Sequence, residues 1–213
     1  MEWILQIPIL LFSIIIHEVS HGWTAYRRGD DTAYLSGRLT FNPIPHIDPV
    51  GTILLPVMCF MGGLPVFGWA KPVPVNPYRM NDSRRDMAMV AVSGPVSNLI
   101  LAVISAFIFK IIVLSAHTLG PDMTFTLITV CRFAVMINLA LAVFNLVPVF
   151  PLDGSQILMG LLPRKWLETY EKHIPYGTII LLVLMFTGII RYIIIPPLSI
   201  ILIFLSKMGL AVW

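Results

Sequence analysis

Runs of apolar residues long enough to cross a bilayer dominate this sequence. They cover 3–25, 50–68, 87–116, 124–150 and 193–212, with a shorter one at 176–190. A spanning helix needs about 20 such residues. Chains of this kind have few folds open to them, because a backbone in hydrocarbon must satisfy its own N–H and C=O groups. Charge is correspondingly scarce, at 12% of 213 residues against 57% hydrophobic, about half the charged share of a soluble domain. An ordinary soluble enzyme, a disordered chain and a nucleic-acid-binding domain are excluded. The expected fold is an all-α polytopic membrane protein of five to six transmembrane or re-entrant segments. It forms one domain over 1–213: a core at 1–155, an amphipathic stretch at 156–175 and C-terminal helices at 176–212.

The interruptions between the runs carry further expectations. Glu2 and the direct passage of the first run into His17-Glu18 mark a retained helix, not a cleaved signal peptide. Weak alternation over Thr32–Phe41 predicts a short β-hairpin or edge strand near the membrane surface. Pro56, Gly62, Gly63, Pro65 and Gly68 break the run at 50–68, which either spans or dips in and returns. Asp82 or Ser83 is placed to cap the next helix. The last two runs are split by Arg191 and Pro196-Pro197. Cys59 and Cys131 read as small buried hydrophobes. His46, His117 and His173 read as surface residues of polar loops.

Ionisable groups inside a spanning segment are costly and point to function. The first run holds three of them in the pattern His17-Glu18-Val19-Ser20-His21. Between Ile4 and Ile16 the only polar residues are Gln6 and Ser13. On a helix, residues four apart share one face, so two imidazoles converge on one Zn²⁺. Glu18 then stands beside the metal as a general base for water. A zinc protease also needs a third ligand and an open coordination position. Asp153, at the end of an apolar helix in Pro151-Leu152-Asp153-Gly154, is the best candidate. Asn98 and Asn145, amides within apolar helices, either bond helix to helix or contact the substrate or its oxyanion.

Three patterns together resemble the signatures of the site-2 protease family of intramembrane zinc metalloproteases. They are His17-Glu18-Val19-Ser20-His21, then Ser93-Gly94-Pro95-Val96-Ser97-Asn98, then Asn145 with Pro148, Pro151, Leu152, Asp153 and Gly154. The resemblance runs from the first residue to near 170 and is closest to small bacterial members without PDZ or CBS domains. It implies one zinc ion held by His17, His21 and Asp153, and water activated by Glu18. It also implies cleavage of membrane-protein substrates within the bilayer.

Basic residues gather in the loops at 26–48, 69–86 and 155–175, whereas 117–123 has no Lys or Arg. If the run at 50–68 is re-entrant these loops share one face, and by the positive-inside rule the site then opens toward the cytoplasm of a cell membrane. A metal transporter or sensor, and a catalytically silent client-binding homologue, are the rival readings. A different zinc protease class would use Glu168 or Glu171 as third ligand, but these lie in a polar stretch.

Overall fold

A computed structural model describes residues 3–62 and 68–212. Helix α1, Trp3–Arg27, is the first apolar run. After it, α2 is a single turn, Thr32–Leu35. A π-helical turn at Pro49–Leu54 leads into α3, Leu55–Met61. Next come α4, Ser83–Leu114, the short α5, Ala116–Leu119, and α6, Pro121–Asn145. Two short helices, α7 at Asp153–Leu161 and α8 at Arg164–Glu171, precede α9, Gly177–Phe186, and α10, Ile189–Lys207. Among the described residues four helices are long and apolar enough to cross a membrane: α1, α4, α6 and α10.

Helix α4 is the centre of the bundle and packs against α1, α6 and α7. It begins at Asp82, whose carboxylate accepts from Arg85 N and caps the first turn. The main apolar core joins Ala102, Ala106, Phe109 and Ile112 of α4 to Cys131, Val135 and Leu139 of α6. Small residues let these helices approach closely, which is how helices associate where lipid removes the hydrophobic incentive. Helix α10 fully buries only Leu205, packs Leu198, Ile201 and Leu202 against the same core and exposes several other apolar side chains, among them Ile200, Ile203 and Phe204.

Three expectations from the sequence need correction. No strand occurs among the described residues, and Thr32–Phe41 forms no hairpin. Asp30 accepts from Thr32 N and starts a helical turn, which Gly37, at φ +64°, ends. The local hydrogen bonds of an acidic side chain outweigh weak alternation. The break between the last two apolar segments lies at Gly188, φ +71°, not at Arg191 or the two prolines, which sit inside α10. A reversal needs the left-handed backbone that glycine supplies. Finally, His46 is fully buried: its Nε2 meets Thr40 O at 2.9 Å and its carbonyl accepts from Lys71 N.

The described residues at the two ends of the run at 50–68 meet. Trp69 N donates to Gly51 O at 3.1 Å, and Thr52 Oγ1 donates to Trp69 O at 2.8 Å. A single crossing would separate such ends by about 30 Å. Gly63 and Pro65, two of the residues expected to break this run, lie outside the described residues. The following strap, 68–76, is tied down along its length. Arg38 donates to the carbonyls of Lys71 and Pro72, and Asn76 N donates to the buried Asp30 carboxylate.

Candidate metal centre

His17 and His21 lie one turn apart on α1, both almost fully buried, with ring centroids 4.6 Å apart and planes at 90°. Each ring is held through Nδ1. His17 Nδ1 lies 2.6 Å from Asn98 Oδ1, and His21 Nδ1 lies 2.8 Å from Val90 O. A carbonyl oxygen only accepts, so Val90 O requires the proton on His21 Nδ1 and leaves Nε2 with a lone pair. Pro95 has no N–H to give the Ala91 carbonyl. The carbonyl just before it, Val90 O, accepts from both Ser93 Oγ and His21.

Asp153 arrives from the first residue of α7. Its Oδ2 lies 3.1 Å from His17 Nε2 and its Oδ1 lies 3.3 Å from His21 Nε2. One donor atom from each of the three residues falls within 4.8 Å of the others. His21 Nε2 and Asp153 Oδ2 are buried without hydrogen-bond partners. Buried polar atoms that face one another without hydrogen-bond partners fit a shared cation. Two imidazoles and one carboxylate make a donor set suited to zinc, with a fourth position left for water or substrate.

Gly94 makes room for this cluster. A Cβ there would stand 2.5 Å from His21 Cε1 and 2.6 Å from His17 Cε1. Close approach also seats α7 on α4. A Cβ on Gly160 would stand 2.3 Å from Ala88 Cβ, and the Arg84 guanidinium donates to the carbonyls of Met159 and Leu162. The loop before Asp153 is braced by Tyr170, whose hydroxyl donates to Pro148 O at 2.9 Å. Burial pushes this phenol above its ordinary value.

Glu18 is held from outside the bundle. Its Oε2 accepts from Val73 N at 2.8 Å. Pro72 and Pro74 flank Val73, so this is the only backbone N–H that the three residues offer. A Cβ on Gly22, four residues after Glu18, would stand 2.7 Å from Val73 Cγ1, so the Val73 side chain is seated on the same face of α1.

The sequence-predicted residues therefore divide. His17, His21 and Asp153 converge, with Glu18 adjoining. Asn98 is fully buried and its amide faces His17, Asn138 and Ser13, so it bonds helix to helix and has no path to a substrate. Asn145 is half-buried and donates to Leu141 O within its own helix. Sequence reasoning missed Asn138 and Val73. Asn138 is a polar residue in an apolar helix, seven before Asn145 and so on nearly the same face, which is a usable signal. Nothing local marks a backbone N–H.

The sequence profile of peptidase family M50 matches residues 6–186. The chain belongs to peptidase family M50. YwhC of Bacillus subtilis, named as a candidate zinc metalloprotease, is 39% identical over 196 residues, covering 89% of this chain and 84% of YwhC. Rip2 of Mycolicibacterium smegmatis, named in the same way, is 29% identical over 87% of this chain and 68% of its own. Rip2 of Mycobacterium tuberculosis is 30% identical over 70% of this chain and 53% of its own. No solved structure matches the chain. This family member is thus a zinc peptidase, and its apolar helices make it a multi-pass membrane protein.

Proposed function

We propose that this peptidase cleaves peptide bonds in or near transmembrane segments of membrane proteins. The observation that carries the reading is where the cluster stands. His17, His21 and Asp153 meet among helices long and apolar enough to span, with the Glu18 carboxylate beside them. His17, His21 and Asp153 would hold the zinc ion. Zinc supplies a Lewis acid that polarises the scissile carbonyl and acidifies water.

The chain's own groups do the rest. Glu18, kept in place by Val73 N–H, takes the proton from the attacking water and passes it to the leaving amine. Its other carboxylate oxygen remains to take that proton. Among the described residues, Asn145 uses one N–H on Leu141 O, leaving its second N–H and its Oδ1 to bind an extended substrate backbone. Asn98 serves the metal ligand instead.

The basic loops lie at the ends of α1, α4 and α8, while the turn between α4 and α6 carries no Lys or Arg. The site therefore opens toward the cytoplasm of the plasma or inner membrane. A transport path would need further ligand clusters. Among the described residues this is the only group of three such side chains that converges.

The test is zinc content and cleavage of a membrane-embedded test substrate by wild type and by Glu18→Gln. The variant is expected to keep zinc and lose cleavage. Full activity in Glu18→Gln would end this mechanism.

A further inference from the structure

Beneath His17, three helices share a closed set of hydrogen bonds that the proposed chemistry leaves unexplained. Asn98 of α4 has its Oδ1 on His17 Nδ1, and its Nδ2 donates to Asn138 Oδ1 at 2.9 Å and to Ser13 O at 3.3 Å. Asn138 Nδ2, from α6, donates to Ser13 Oγ and to Ala134 O, each at 2.9 Å. Ser13 Oγ, from α1, donates to Ile9 O at 2.9 Å. Ser13, Asn98 and Asn138 are all at most 2% exposed. Bulk solvent therefore does not reach them, and the orientation of the two amides is set by the hydrogen bonds above.

The direction of this chain is forced. Ile9 O and Ala134 O are backbone carbonyls and only accept. Ser13 spends its proton on Ile9 O, so Asn138 must turn its NH₂ toward Ser13 and Ala134. Its Oδ1 then faces Asn98 and draws the Asn98 NH₂ to itself. That leaves Asn98 Oδ1 for His17, which must donate from Nδ1 and keep its lone pair on Nε2. The opposite flip of Asn98 would put an N–H against Nδ1. The proton would then move to Nε2, where Asp153 and the metal position lie. An amide's orientation is read from its network in this way.

We infer that Asn138 is a positioning residue: through Asn98 it fixes the tautomer of His17 and so makes that ring a competent zinc ligand. It touches neither the metal position nor a substrate. The inference rests on the metal-site reading above. Partners of metal-bound histidines typically change metal affinity by about 10–100-fold when removed.

The experiment titrates zinc-free full-length protein with Zn²⁺ against a competing chelator. Asn138→Ala is expected to weaken zinc binding by about 10-fold. Val135→Ala trims a fully buried side chain three residues earlier on the same helix. It is expected to lower Tm yet bind zinc as wild type does, which separates positioning from packing. In zinc-loaded protein carrying ¹⁵N-histidine, the His17 Nδ1–H resonance is protected in wild type and exchanges rapidly in Asn138→Ala. If that variant does not fold, Asn138→Ser, whose hydroxyl bonds back to Ala134 O, is expected to show the same two changes. Wild-type zinc affinity together with an unchanged Nδ1–H resonance in either folded variant overturns the relay and leaves the protease reading standing. A wild type that binds no zinc overturns both.

Discussion

The two histidines and Glu18 are neighbours in sequence but are held by different parts of the molecule. His17 and His21 are fixed from within, by Asn98 and Val90 on α4, with both rings almost fully buried. Glu18 is fixed from without, by one backbone N–H of a proline-rich strap that is itself extended and is held by Arg38 and Asp30. A ligand set must keep its spacing. A base must hand a proton from one atom to another and tolerates a lighter hold. The contrast predicts that metal binding and turnover can be damaged separately.

The largest effect is expected from the interior. Asp153→Ala removes a donor, and zinc binding should weaken by at least about 100-fold, with cleavage lost as well. A variant retaining both would break the comparison at its root. Next is Glu18→Gln, where turnover is expected to fall by on the order of 10²–10⁴ with zinc stoichiometry unchanged. Loss of zinc in that variant would mean that Glu18 belongs with the ligands. Gly94→Ala forces a methyl against both rings. A displacement of about 1 Å near the chemistry can cost about 100-fold in rate, and here zinc affinity should fall with it.

The strap offers smaller effects of the opposite kind. Val73→Pro deletes one N–H from a segment already flanked by prolines, where residues preceding a proline favour extended backbone. A hydrogen bond to a charged group contributes about 1.5–3 kcal/mol. Loss of the part of this contact that serves the transition state alone should lower kcat by about 10-fold, with zinc affinity and KM unchanged, as equilibrium dialysis and initial rates would show. Val73→Ala keeps the N–H and should turn over faster than Val73→Pro. The smallest change is expected for Arg38→Ala, which frees the strap from two carbonyl contacts. A few-fold drop in kcat, with no loss of zinc, is the expected reading from the same assays.

How much of this was legible follows the same division. The HExxH pattern on an apolar helix points to the two proposed ligands and the proposed base, because helical periodicity is local and the burial of charge is conspicuous. Asp153 was legible as an acid at the end of an apolar run. The partners were not. Asn138 reaches His17 only through an amide on a third helix, and the Val73 N–H has no side chain to betray it. The turn at Thr32–Leu35 was misread because alternation over a few residues is a weak signal beside the carboxylate of Asp30. His46 was misread because a polar loop that folds over a membrane site acquires an interior of its own, with Arg38 and Asp30 buried alongside.

One helix touches every part of the ligand set. Val90 and Asn98 of α4 hold the two imidazoles, and Ala88 and Arg84 of the same helix seat the segment that begins with Asp153. All three donors are thus referenced to a single rod. When lipid thickness changes and α4 tilts, the donors travel together and their separations are preserved. Occupancy by zinc should therefore be indifferent to acyl-chain length. Any dependence of cleavage on the lipid must enter through the substrate's route to the strap.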